Sequence, residues 1–222
     1  NDIGRYNFFD NSDIRFTNFY GATLIGIDFT KIKNKSLVGA DLTDTSFAYA
    51  NLSGVNLAGA DLSLNNFWKS DLSGVDFTTV SNQSIRAALF YEAILSNSNF
   101  EDVDMSDLMY NALIFKNKAY LYDLPHDLIT KELFGDVNAA HLSLTSKQVR
   151  GNDLALEYFI YNSFAFANLE NANFKNAVMK TTSFASADLT NADLSGADLR
   201  TAFLDGADLS NANLDGANLQ GA

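Results

Sequence analysis

Large apolar residues recur at every fifth position over most of this chain. From Ala167 the text reads ANLEN ANFKN AVMKT TSFAS ADLTN ADLSG ADLRT AFLDG ADLSN ANLDG ANLQG, with centres at Leu169, Phe174, Met179, Phe184, Leu189, Leu194, Leu199, Leu204, Leu209, Leu214 and Leu219. Phe164, Phe159 and Leu154 extend the same phase backwards. A second block runs from Leu37 through Leu42, Phe47, Leu52, Leu57, Leu62, Phe67 and Leu72 to Phe77. A third holds Phe9, Ile14, Phe19, Leu24 and Phe29, and a fourth holds Ile85, Phe90, Leu95, Phe100 and Met105. Helices and strands bury side chains with periods of 3.6 and 2, so neither accounts for a period of five.

A fixed short period predicts a solenoid, in which each coil buries its apolar side only by stacking on its neighbours. The position two before each centre is small, with Ala at 167, 172, 177, 187, 192, 197, 202, 207, 212 and 217. A narrow shaft filled by one large and one small group per side explains that alternation, and stacked coils would pair their backbones at about 4.8 Å.

ADLSG, ANLSG and ADLTN resemble the tandem motif of the pentapeptide-repeat family, Ala-Asp/Asn-Leu-x-x. The resemblance covers roughly four fifths of the chain. It implies an all-β fold, a right-handed square β-solenoid in which four pentapeptides make one coil and the central and small residues point inward.

That geometry can be checked against the phase breaks. Phe29 to Leu37 and Phe77 to Ile85 are each eight residues, one pentapeptide plus three. If each triplet is a bulge at a corner, Leu24, Phe47, Phe67 and Phe90 share one face, and Phe29, Leu52, Leu72 and Leu95 the next. Ile14, Leu37, Leu57, Phe77 and Phe100 take the third, and Phe19, Leu42, Leu62, Ile85 and Met105 the fourth. Every slot is apolar, as one continuous N-terminal stack of about five coils requires.

The pattern fails between about Lys116 and Lys147. Residues 124–135 read as a short amphipathic helix, with Pro125 in the first turn, Gly135 at the stop, and Leu128, Ile129, Leu133 and Phe134 on one side. Thr145 opens a second turn with capping-box spacing. The expected organisation is N-terminal coils over 1–115, a helical insertion over 116–153, and C-terminal coils over 154–222, all in one rod.

On the Phe47 and Phe67 face, Ile25, Trp68 and Tyr91 follow the centres directly and Tyr49 lies one place further along. These four are the candidate partner-binding residues, expected as an exposed aromatic ridge. Asn171, Asn191 and Asn211 should stack into an outward ladder hydrogen-bonded along the axis, and Lys180, Arg200 and Gln220 into another.

Composition narrows the chemistry. There is no Cys, hence no disulfide, thiolate metal site or Cys nucleophile. His126 and His141 lie 15 residues apart, a spacing that marks no metal site. Asp188, Asp193, Asp198 and Asp208 are motif positions on a convex rod, without a cleft to shift their pKa values. No phosphate-binding loop or Ser-His-Asp arrangement is present. The reading is therefore a protein without catalytic, cofactor or metal residues.

A formal charge of −12 argues against direct nucleic-acid binding, which needs clustered Lys and Arg. No run of about 18 apolar residues suggests a membrane span. The compartment stays open: cytoplasmic is slightly favoured, and because the chain starts at Asn1 rather than Met an extracytoplasmic one follows if a signal peptide was removed before it.

These features favour a scaffold that presents a rigid surface to a protein partner. The family resemblance supplies an alternative: an acidic mimic of duplex DNA that binds a type II topoisomerase (gyrase) and gives fluoroquinolone resistance. The helical dimerisation module usual in those relatives is not seen before Gly221 and Ala222. An open last coil adds a third alternative, a homodimer assembled through a solenoid end.

Overall fold

The computed structural model describes residues 8–81, 85, 88–105 and 164–222. The segments expected to be helical, 124–135 and the turn at Thr145, lie outside the described residues, as do Leu154, Phe159, His126 and His141. No helix among the described residues is long and apolar enough to cross a membrane.

The described chain is a β-solenoid of isolated parallel bridges. In the regular stretches each bridge links a residue to the one 20 positions on, as in Asp41 to Asp61, Asn51 to Asp71, Asp188 to Asp208 and Asp193 to Asn213. Four bridge positions five residues apart complete each turn.

In a repeat such as that of Leu52 all five N–H groups have a destination, which is why five residues suffice. In the repeat around Leu42, the bridging Asp41 donates to Thr17 O in the preceding coil and accepts from Phe19 N–H. Its carboxylate also accepts from Thr43 N–H at 3.2 Å. The same side-chain turn recurs at Asn51, Asp61, Asp71, Asn173, Asp193 and Asn218. This is the physical reason for Asp or Asn before each centre. Three residues after a centre, a backbone turn closes, as in Ala50 N–H to Phe47 O at 2.9 Å. The residue two after the centre is left-handed, commonly Gly or Asn, such as Gly54 (φ 62°) and Asn171 (φ 56°).

The inward centres form a dry shaft. On one face Phe47, Phe67, Phe90, Phe164 and Phe184 stack nearly parallel, with successive centroids 5.4, 5.1, 5.0 and 5.2 Å apart. On the face two steps away Phe77, Phe100 and Phe174 stack at 4.3 and 4.8 Å. The two columns meet edge to face across the shaft, as in Phe77 against Phe90 at 5.8 Å and 90°. After Phe19 and Phe29 in the first coils, Leu, Ile and Met fill the other two faces, including Leu52, Leu72, Leu95, Leu62, Ile85 and Met105.

The bridges reproduce the faces expected from the sequence. Thr23, Ser46, Asn66 and Leu89 pair in series just before Leu24, Phe47, Phe67 and Phe90. The phase breaks are 3-10 turns, Phe29–Lys31 with Lys33–Lys35, and Phe77–Thr79. Asp28 and Asp76 cap them identically, each accepting from both the backbone N–H and the hydroxyl of the Thr two residues on, at 3.0 and 2.6 Å. Ile32 and Val80, buried at the ends of these turns, plug the added length into the core.

The outward ladders depart from expectation in one respect. Asn171, Asn191 and Asn211 sit at left-handed corners. Side-chain bonds along the axis come instead from the bridging column, Asn173 to Asn99 at 3.1 Å and Asn213 to Asp193 at 3.2 Å. Bridging side chains of successive coils are held in one orientation by their own turns, so they meet. Lys180 and Arg200 converge on Asp198 at 3.4 and 2.7 Å, and the Arg200 hydrogen bond brings that carboxyl down to about 2.

Phe100 packs against four rings, two stacked and two edge-on. Phe100→Ala should destabilise the protein by about 3–5 kcal/mol, whereas Phe100→Leu, the residue at the equivalent positions 57 and 194, should cost about 1.5 kcal/mol or less. Urea unfolding checks this: the midpoint should drop in that order with the slope unchanged.

Candidate functional site

The four candidate residues do come together, but as a packed cluster rather than an exposed ridge. Trp68 and Tyr91 are only 3% and 7% exposed and form a second apolar cluster with Ala48 and Ala165, outside the shaft. Ile25 is half-buried against it, and Tyr49 is the most open at 36%. The rings shield one another: Tyr49 meets Trp68 edge-on at 4.8 Å and 66°, and Tyr91 meets Phe166 at 5.5 Å and 65°. Lys69 Nζ lies 5.2 Å from the Trp68 ring centroid, so its stem screens the indole further.

The cluster exists because this face breaks the repeat's outward code. The position before Phe90 is Leu89 rather than Asp or Asn, and it packs on the cluster. The positions after Phe47 and Phe164 are Ala48 and Ala165, small enough for neighbouring rings to settle over them.

The adjoining corner departs further. Its column, joined by successive N–H to carbonyl bonds, runs Gly26, Tyr49, Lys69, Glu92, Phe166, Ser186 and Gly206. Glycine stands at both ends, yet Tyr49, Lys69, Glu92 and Phe166 hold φ of 58°, 54°, 53° and 57° in between. A left-handed residue with a full side chain costs about 1–2 kcal/mol relative to one that adopts that conformation freely. The neighbouring corner before it carries Gly21, Asp44 and Leu64, and the corner on its other side is dominated by Asn and Gly, with Gly54, Gly74, Asn97, Asn171, Asn191 and Asn211. Lys69 and Glu92 form an ion pair at 3.1 Å along the column.

Lys69, Glu92 and Phe166 are absent from the sequence-based candidate set. For Lys69 and Glu92 the signal is present in the text: a charged residue where the repeat's corner favours Gly, Asn, Ser or Thr. Phe166 joins this column only because Phe164 stacks directly on Phe90, a relation across the interruption that spacing does not give. Among the described residues no group of three or more His, Asp or Glu is placed to hold a metal ion.

A family model described as pentapeptide repeats matches the chain in eight copies, over residues 37–78, 163–200 and 193–222. No curated protein sequence gives a significant match. Among solved structures the chain is similar to HetL, a pentapeptide repeat protein involved in heterocyst differentiation regulation from the cyanobacterium Nostoc sp., at 18% identity and TM-score 0.33, covering 99% of this chain and 89% of that one. It is also similar to the pentapeptide repeat protein Rfr23 from the cyanobacterium Cyanothece 51142, at 18% identity and TM-score 0.36, covering 83% and 87%. A third similarity is to QnrB1, a plasmid-mediated fluoroquinolone resistance protein, at 18% identity and TM-score 0.39, covering 96% and 85%.

If the corner column is strained, relieving it should stabilise the fold. The double variant Lys69→Asn and Glu92→Asn removes a partly exposed ion pair worth at most about 1 kcal/mol and gains a residue tolerant of left-handed geometry at two places. Thermal unfolding should show a midpoint raised by a few degrees; a fall of similar size would mean that the column is not strained.

Proposed function

The chain belongs to the pentapeptide-repeat family, and on that premise we propose that it is a non-catalytic interaction scaffold that holds a protein partner against one corner of a right-handed, four-sided rod. The observation that carries this reading is the run Tyr49, Lys69, Glu92 and Phe166 on one corner, where left-handed geometry would be met more cheaply by Gly or Asn. Backbone strain of this kind concentrates at sites where side-chain identity matters more than stability.

The composition of the corner suits a protein surface. Two aromatic rings supply area at low entropic cost, and a neutralised Lys–Glu pair supplies polar contacts without a strong field of either sign. Trp68 and Tyr91 support this surface from beneath, and Ile25 lies at its edge; the buried pair fixes the rings at the corner, and Tyr49 is the residue most open to contact. A rod whose side chains are held in register presents these groups already ordered, which lowers the entropy lost on binding.

The test uses immobilised protein and cross-linking mass spectrometry against lysate of the source cells. A variant with Tyr49→Asn, Lys69→Asn, Glu92→Asn and Phe166→Asn should lose tenfold or more of the captured partner without a lowered unfolding temperature. A control with Asn171→Gly, Asn191→Gly and Asn211→Gly on another corner should capture it as the parent does. Undiminished capture by the first variant would remove the corner as the site.

A further inference from the structure

The coil that ends at Met105 is followed in space by the coil that begins at Phe164, and three faces of the joint between them are bridged as in an unbroken stretch. Parallel bridges link Ile94 to Asn168, Asn99 to Asn173 and Asp104 to Val178. Leu95, Phe100 and Met105 donate across it at 2.7, 2.6 and 2.7 Å, and Asn168, Asn173 and Val178 donate back at 3.0, 2.9 and 2.9 Å. Inside, Phe90 stacks on Phe164 at 5.0 Å and Phe100 on Phe174 at 4.8 Å, within the range found for coils that follow one another in sequence.

The outer face of this joint carries a clasp. Lys175 Nζ bonds Glu101 Oε1 at 2.7 Å, and Asn173 Nδ2 reaches both Asn99 Oδ1 at 3.1 Å and Glu101 Oε2 at 3.3 Å. The Lys175 ammonium holds the Glu101 carboxyl below its usual range.

The register adds an independent constraint. Phe164 lies 59 positions after Met105, whereas adjacent faces elsewhere in the regular stretches are five positions apart. Met105 occupies the face before the Phe90 face, and Phe164 stacks on Phe90, so the two are neighbouring centres of one coil path. Removing residues 106–159 restores a five-residue step, with Ile160, Tyr161, Asn162 and Ser163 in the four linking positions. In the sequence Ser163 stands directly before its centre, as Ser46 and Ser183 do, and Asn162 two before it, as Asn65 does.

We propose that the edge of the coil ending at Met105 is a self-sufficient docking surface for residues 164–222, and that residues 106–159 are an insertion between two consecutive faces on which this joint does not depend. The partner that fits the surface is this chain's own C-terminal stack, recognised by backbone ladder, stacked Phe columns and the Glu101–Lys175 clasp. The partner-binding corner takes Phe166 from this joint, so failure of the joint would remove Phe166 from that corner, whereas failure of the corner to bind a partner would leave the joint intact.

The chain has no Cys, so a disulfide placed across the joint reports on it directly. Positions 101 and 175 are stacked at the coil spacing of about 4.8 Å, within disulfide range. Glu101→Cys with Lys175→Cys should form an intrachain bond under mild oxidation in the full chain and equally in a variant lacking residues 106–159. That deletion variant should also unfold in one transition within about 5 °C of the parent. A deletion of residues 106–161, which leaves three positions in place of five and is too short to span one face, should lose the disulfide or at least 10 °C of stability. Failure of the in-phase deletion variant to fold or to form the bond would overturn the proposal, as would equal stability of the out-of-phase one.

Discussion

The rest of this structure depends on a coincidence of two lengths. Backbone pairing between parallel coils sets a repeat of about 4.8 Å along the axis, and aromatic rings prefer to meet at about 4.5–7 Å. Because the first spacing falls inside the second range, Phe at the same face of successive coils stacks without bending the backbone, as the centroid distances of 4.8–5.4 Å show, with Phe77 and Phe100 slightly closer at 4.3 Å. Each ring buried adds roughly 2–3 kcal/mol of apolar transfer free energy. The hydrogen-bond ladder and the hydrophobic core are therefore satisfied by one geometry, and neither competes with the other.

Given that spacing, outward positions are read as columns rather than as single residues. A change at one coil is felt by the coil above and the coil below, because their side chains are about 4.8 Å away in fixed orientation. Most columns use this for scaffold, with Asp and Asn closing their own turns and, in places, bonding one another along the axis. The column of Tyr49, Lys69, Glu92 and Phe166 uses it otherwise, combining bulk, charge and left-handed backbone over four successive coils. Its support by Trp68 and Tyr91 explains how flat rings on a convex rod become part of an ordered surface.

Much of the fold was legible because its period is unique to it. The faces through Phe47, Phe67 and Phe90 and through Leu52, Leu72 and Leu95 follow from counting fives and threes, and the bridges run through those same residues. What counting could not supply was local: the triplets are capped 3-10 turns, and the caps depend on Asp28 and Asp76 finding a hydroxyl two residues on. The candidate site was half legible. Tyr49, Trp68 and Tyr91 share a face as their spacing says, but their burial depends on how rings from adjacent coils lean on one another, which is a property of packing and not of period. Phe166 entered the site only through a joint between segments far apart in the text.

The central claim is that one ladder, at one spacing, runs through the whole described stack, including the joint between Met105 and Phe164. Native-state hydrogen exchange of single amides tests it most directly. Leu95, Phe100 and Met105 N–H, which donate across the joint, should exchange with opening free energies within about 1 kcal/mol of those of Phe47 and Leu52, which donate within an unbroken stretch. Exchange of the first group through a separate opening, lower by several kcal/mol, would mean that two stacks merely abut, and would contradict the account.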